Sequence, residues 1–362
     1  MTGHNLLGKL LKRRIGNSNS PERTPRKRQS RTPLFMDALP GQINEPDASE
    51  DDMPKQQKSQ ALLVEDEGTH LRWEKVLAGR SASTLSAEEL GALEDTNMPL
   101  KHRHALWPQW FIAPHVDDAC GTEVAPRLPE DVDAAIDADL HRTRPQSFGA
   151  WERAALRRVL VAYAAGNPSV GYCQGMNNIA AVFIALGFDE AAALRGCYTM
   201  LQGCCPGYHD RELSGFRLDA RVLAELVAQV LPKDTQQRLD LLDVPLEVLA
   251  SEHFLTLASK SWPLAATARL WDMMLREGSP VVFASFMALL NLCLPDEKAM
   301  ELERKLAPLN EEPEPMDVFR ERVRRCAVDD MDVLVREVRR LVPLVPQATI
   351  DKLRLNLAGK KC

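Results

Sequence analysis

Two polar side chains, Arg142 and Gln174, stand where helical patterns give way to turns and a side chain can reach outward. Gln174 lies in the run Asn167-Pro168-Ser169-Val170-Gly171-Tyr172-Cys173-Gln174-Gly175-Met176-Asn177-Asn178, between two apolar segments. Its amide has two donor hydrogens and one acceptor oxygen, which suits orienting a water or a backbone group. Arg142 follows a pattern in which Ile136, Asp139, Leu140 and Thr143 share a face, and Pro145 must end that helix. An arginine at a helix C-terminus that leads into a loop is an exposed, preorganised cation. The plainer alternative is a surface arginine complementing the helix dipole.

The flanking elements explain how these side chains would be held. Upstream of Gln174, residues 151–165 place Leu156, Val159, Leu160 and Tyr163 at helical offsets. Gly166-Asn167-Pro168 stops that helix, because glycine accepts left-handed angles and proline cannot continue the ladder. Downstream, 178–187 is almost wholly apolar and reads as a buried helix, with Gln174 near its first turn. The helix before Arg142 opens on the acidic Glu130-Asp131-Val132-Asp133, which complements the positive end of the dipole.

At 362 residues the chain holds one large domain or two ordinary ones, and a net charge of -6 argues against a general nucleic-acid binder. Eight cysteines occur without a metal-ligand spacing, which fits buried free thiols in a reducing cytoplasm. No segment reaches the ~18 apolar residues of a membrane span. The best candidate, 281–294, is shorter and contains Ser285 and Asn291, so it reads as a core helix.

Residues 1–60 read as a disordered tail, first basic and then acidic, with few large apolar residues to offset the entropy of ordering. Within it Leu6, Leu7, Leu10, Leu11 and Ile15 share a helical face among lysines and arginines. Such a stretch suits an anionic membrane surface, against the alternative of a merely solvated tail. Ser20-Pro21, Thr24-Pro25 and Thr32-Pro33 match proline-directed phosphosites beside arginines. A short helical lead-in spans 61–98, with Ser86 and Glu89 spaced as a capping box. The helical body runs over 99–342, with a charged connector at 295–315, one or two amphipathic helices over 318–342, and a tail at 343–362. No β-alternation of useful length appears, so the body is expected to be all-α. Arg103 and Trp107 lie four apart and share a face, which suits a stacked or hydrogen-bonded pair locking the entrance of the body. Spaced two apart, His102 and His104 fall on different faces, unlike a metal site.

Taken together, these segments resemble the TBC domains, the Rab-type GTPase-activating family. Tyr172-Cys173-Gln174-Gly175-Met176-Asn177 is similar to its YxQGMN motif, and Ile136 to Arg142 to its IxxDxxR motif. Pro99 with Arg103 and Trp107 resembles its entry helix. Phe254-Leu255-Thr256-Leu257 with Trp262-Pro263-Leu264, and Arg269-Leu270-Trp271-Asp272 with Glu277-Gly278, resemble two later stretches. The resemblance implies a multi-helix TBC-type domain that is not itself an enzyme but activates a Rab-family GTPase in its GTP-bound form, in vesicle trafficking. Arg142 would be the arginine finger and Gln174 the water-positioning amide. Asp139 and Tyr172 would hold the two loops, and Gly175 would allow close approach. GTP and Mg²⁺ would belong to the partner, since nothing here resembles a Walker A loop. The protein would be cytoplasmic, peripheral on endomembranes. Two departures stand out: Arg144 where the family often has an aromatic residue, and His253 where it usually has Trp. The reading in a different class is a catalytically silent helical scaffold that binds a GTPase or trafficking partner.

Overall fold

The computed structural model describes residues 67–77, 80, 96–112, 127–306 and 314–359. The expected tail over 1–60, with its basic face and Ser/Thr-Pro sites, lies outside these residues, as do the Ser86–Glu89 box and Cys362. Among the described residues every regular element is helical.

The first helices are α1 (Glu67–Leu77), α2 (Leu100–Trp110) and α3 (Glu130–Leu140). Then come α4 (Ala150–Gly166), α5 (Met176–Ala185) and α6 (Glu190–Thr199), which runs into a widened π-helical turn at Met200–Cys204. α4, α5 and α6 pack on one another, with α3 laid across α4 and α5. Arg157 of α4 fastens α3 by reaching both Asp133 and Asp137 at 2.7 Å. α4 begins where the Glu152 carboxylate accepts the Gly149 backbone N–H at 2.7 Å, and α6 where Asp189 accepts from Ala192 N–H at 2.7 Å. Both satisfy donors that a helix start leaves open.

The second half comprises α7 (Ser214–Val230), α8 (Lys233–Asp240), α9 (Leu246–Thr256), α10 (Leu264–Glu277) and α11 (Ser279–Cys293). α11 is buried along nearly its whole length, as the apolar run from Val281 predicts, and α9, α10 and the C-terminal helices gather round it. No single helix among the described residues is long and apolar enough to cross a membrane. Two aromatic clusters fill the interior. Trp107, Phe183, Phe188 and Trp271 join α2, α5 and α10, with Trp107 stacked on Phe188 at 5.6 Å. Tyr208, Phe216, Phe254 and Phe283 join the later helices. Burying one such side chain is worth about 1.5–3 kcal/mol, so these clusters anchor the domain.

The C-terminal part departs from the sequence reading. The 295–315 connector contains helix α12 (Glu297–Leu306), whose i, i+4 charge pair Glu301–Lys305 supports it at the surface. The amphipathic stretch is two helices, α13 (Pro315–Val328) and α14 (Met331–Leu341). The segment from 343 onward, read as a C-terminal tail, forms helix α15 (Gln347–Ala358). α15 packs on α7 and α11, burying Ile350 and Leu357.

Candidate functional site

Helix α3 ends at Leu140, so Arg142 stands in the turn beyond it, and α5 begins at Met176, so Gln174 lies two residues before its first turn. Asp139, in the last turn of α3, brings the two turns together. Its carboxylate accepts the Arg142 guanidinium on one oxygen and the Tyr172 hydroxyl, at 2.5 Å, on the other. The Asp139 side chain is 2% exposed and that of Arg142 49% exposed, so the acid is fixed while the base faces outward. Burial and the adjacent carboxylate push the Tyr172 phenol well above its usual range, so it remains a donor. Burial likewise raises the neighbouring Cys173 thiol to about 11, leaving it unreactive near neutral pH.

A second tie runs beneath the first. The buried Thr143 hydroxyl donates to the Asp139 backbone carbonyl at 2.6 Å and accepts from Asn177 Nδ2 at 2.7 Å. Asn177 Oδ1 in turn accepts the Gly175 N–H at 3.0 Å. Thr143 and Asn177 therefore link the arginine turn to the glutamine turn, although their sequence pattern gave them no role. Gly175 has φ +111°, a conformation that side chains rarely tolerate, and a β-carbon there would lie 3.1 Å from the Leu255 carbonyl oxygen. Gln174 is half-buried, and among the described residues its amide makes no hydrogen bond. Ile136 is fully buried on the inner face of α3.

Arg144 has left-handed backbone (φ 42°) and directs Nη2 toward the Ser259 carbonyl at 3.5 Å. It is half-buried, whereas Arg142 is exposed. His253 is a core residue: Nε2 lies 2.8 Å from Ser285 Oγ, and burial lowers the ring to about 3, keeping it neutral.

Arg103 and Trp107 lie in a different place from this cluster. Both converge on Asp272 of α10. Arg103 forms two parallel bonds to its carboxylate, at 2.9 and 2.8 Å, and the Trp107 indole donates at 2.8 Å. All three are buried, and desolvation pushes the Asp272 carboxyl upward against the pull of Arg103. The assembly joins α2 to α10 and faces no solvent. The six described cysteines carry free thiols.

A family model, that of the Rab-GTPase-TBC domain, matches residues 122–297, which include both turns and the Asp272 anchor. Among curated proteins, the chain is 27% identical over 298 residues to growth hormone-regulated TBC protein 1-A of Danio rerio, covering 78% of this chain and 80% of that one. It is 28% identical over 274 residues to TBC1 domain family member 2A of Mus musculus, covering 69% of this chain but only 29% of that longer protein. Among solved structures, a flagellar RabGAP TBC domain from Chlamydomonas aligns with a TM-score of 0.55 at 22% identity, over 78% of this chain and 93% of that one. That likeness establishes the fold: all-α, with the same helical arrangement. Residues 122–297, the segment that carries both turns, therefore match the Rab-GTPase-TBC domain family, on a fold shared with a solved TBC domain.

Proposed function

We propose that this protein is a GTPase-activating protein for a Rab-family small GTPase in its GTP-bound form, supplying Arg142 and Gln174 in trans. One observation carries the reading. A single buried carboxylate, Asp139, holds both the outward-facing Arg142 and Tyr172, two residues before Gln174. A small GTPase hydrolyses GTP slowly because charge on the transferring γ-phosphoryl is poorly neutralised and the attacking water is poorly placed. A guanidinium answers the first need and an amide the second.

In this mechanism Arg142 exchanges Asp139 for phosphate oxygens when the partner docks. The guanidinium is half exposed, so little opposes that exchange. Asp139 keeps its hydrogen bond from Tyr172, so the buried acid is not abandoned when the arginine leaves. The Gln174 amide, without a partner among the described residues, is free to bond the attacking water. GTP and Mg²⁺ belong to the GTPase, and the protein is an activator and not itself an enzyme. Its setting in this reading is the cytoplasmic surface of endomembranes, in vesicle trafficking.

The test is single-turnover GTP hydrolysis across a panel of Rab GTPases, with wild type, Arg142→Ala, Gln174→Ala and a chain lacking residues 1–60. Acceleration on one or a few GTPases, lost in both point variants while binding persists, is the expected result. Binding without acceleration on every GTPase would move the protein to the scaffold class. Activity only after removal of residues 1–60 would make that segment inhibitory.

A further inference from the structure

His209 stands behind the glutamine turn and has no part in the chemistry proposed above. It lies in the segment between the π-helical turn and α7, and its side chain is buried. Nε2 is 2.8 Å from the carbonyl oxygen of Leu255, in the last turn of α9. A carbonyl only accepts, so Nε2 carries the proton and donates. Burial lowers the ring to about 4, so the imidazole is neutral with this one N–H. That carbonyl belongs to the set a helix end leaves unpaired, and His209 caps it from 46 residues away.

Gly175 lies against the same carbonyl. A β-carbon at Gly175 would come within 3.1 Å of the Leu255 oxygen and 3.7 Å of His209 Nε2. The glutamine turn thus rests on a surface made by one backbone carbonyl and one imidazole edge. The Gln174 amide has no hydrogen bond among the described residues, so the backbone at Gln174–Gly175 sets its direction. The segment carrying His209 is itself fixed. Gly215 N–H donates to Gly207 O at 2.9 Å, and the Tyr208 hydroxyl donates to Asp219 at 2.7 Å. Asp219 in turn takes two bonds from Arg354 of α15, at 2.8 and 2.6 Å.

We propose that His209 is a positioning residue for the Gln174 amide, acting through the Leu255 carbonyl on which Gly175 rests. The inference builds on the GTPase-activating reading of Gln174, but its first test does not need a GTPase. Backbone hydrogen exchange is followed by mass spectrometry in the full chain for wild type, His209→Leu and His209→Gln. Leucine keeps the bulk and removes the donor, whereas glutamine offers an N–H at similar reach. Exchange over 172–178 should quicken about tenfold in His209→Leu and return toward wild type in His209→Gln. Protection of α11 should be unchanged in both. On a GTPase that wild type accelerates, His209→Leu should lower kcat about tenfold with KM unchanged, and His209→Gln should restore it.

Unchanged exchange over 172–178 in His209→Leu overturns the proposal, as does equal exchange in the two variants. If His209→Leu does not fold, Gly215→Ala tests the same contact from the other side. A β-carbon there would come within 2.1 Å of the Pro206 carbonyl oxygen, so the segment carrying His209 must shift. Quickened exchange over 172–178 then supports the proposal, and undisturbed exchange refutes it. A wild type that accelerates no GTPase refutes the reading of Gln174 as a catalytic amide and leaves the exchange result to decide on His209.

Discussion

Two of the arginine–aspartate pairs in the domain join the same two chemical groups and differ in what surrounds them. Arg103 and Asp272 are 0% and 5% exposed, bonded by two parallel contacts and supplemented by an indole N–H. At the Arg142–Asp139 pair only the acid is buried. Where both partners are desolvated, neither can leave without stranding the other, and the pair is a rivet between α2 and α10. Where the base keeps one side in water and the acid has a second donor in Tyr172, the pair is a latch that can open. Burial of the arginine, more than the pairing itself, separates the structural role of Arg103 from the one proposed for Arg142.

The contrast can be broken most decisively at the latch. Arg142→Ala should lower stimulated GTP hydrolysis ~10³-fold or more while leaving the thermal unfolding midpoint nearly unchanged, as read by phosphate release and calorimetry. A large loss of stability in that variant would make Arg142 a second rivet. At the other pair, Arg103→Ala should destabilise the fold by about 3–5 kcal/mol in urea titration, because it leaves Asp272 buried without its counter-charge. Preserved stability there would remove the distinction from the opposite side. Tyr172→Phe sharpens the latch without deleting it. Asp139 loses its second donor and holds Arg142 alone, so a rate loss of about tenfold with an intact fold is expected in the same hydrolysis assay.

The smallest effect concerns pH. His209 and His253 are lowered by burial to about 4 and about 3, from an ordinary value of 6.5. Below 6.5 the unfolded chain takes up protons that these folded histidines refuse. Their contribution to stability is therefore complete above 6.5 and declines as pH falls toward 4 and 3. Asp272, whose carboxyl is raised above its ordinary 3.8, pushes the other way in the window that opens above 3.8, where the folded chain holds a proton the unfolded chain has released. The unfolding midpoint should accordingly drop between pH 7 and pH 5, and replacing both histidines with glutamine should flatten that slope.

How much of this was readable before the fold depends on how local each signal is. The exit of Arg142 from its helix, the placement of Gln174 before α5 and the shared face of Arg103 and Trp107 follow from spacing, proline and helical periodicity within a dozen residues. The partner of Arg103 lies 169 positions away, and no periodicity points to it. The same is true of His209 and Leu255, where a lone histidine after Tyr208 carries no signal until the end of α9 is seen beside it. The roles of Thr143 and Asn177 also needed the two turns in one frame, since each looks like an ordinary polar residue in its own segment. Helix α15 escaped detection because it buries only Ile350 and Leu357 and is held mainly through Arg354, so its apolar stripe is thin. The widened turn at Met200–Cys204 has no compositional mark at all; 189–203 reads as one helix.

That same arginine bears on where the domain can be cut. The stretch matched by the family model stops at residue 297, and the helical body read from the sequence ends at 342, so either position invites an expression boundary. Both cuts would discard Arg354 and leave the Asp219 carboxylate, 2% exposed, without the guanidinium that neutralises it. Protein trimmed there should express poorly or precipitate, whereas a boundary after Ala358 keeps the counter-charge and should yield a well-behaved sample. A disappointing yield from the shorter form would then say nothing about the two turns that carry Arg142 and Gln174, only that the trimming had removed helices packed on α11 and the counter-charge of Asp219.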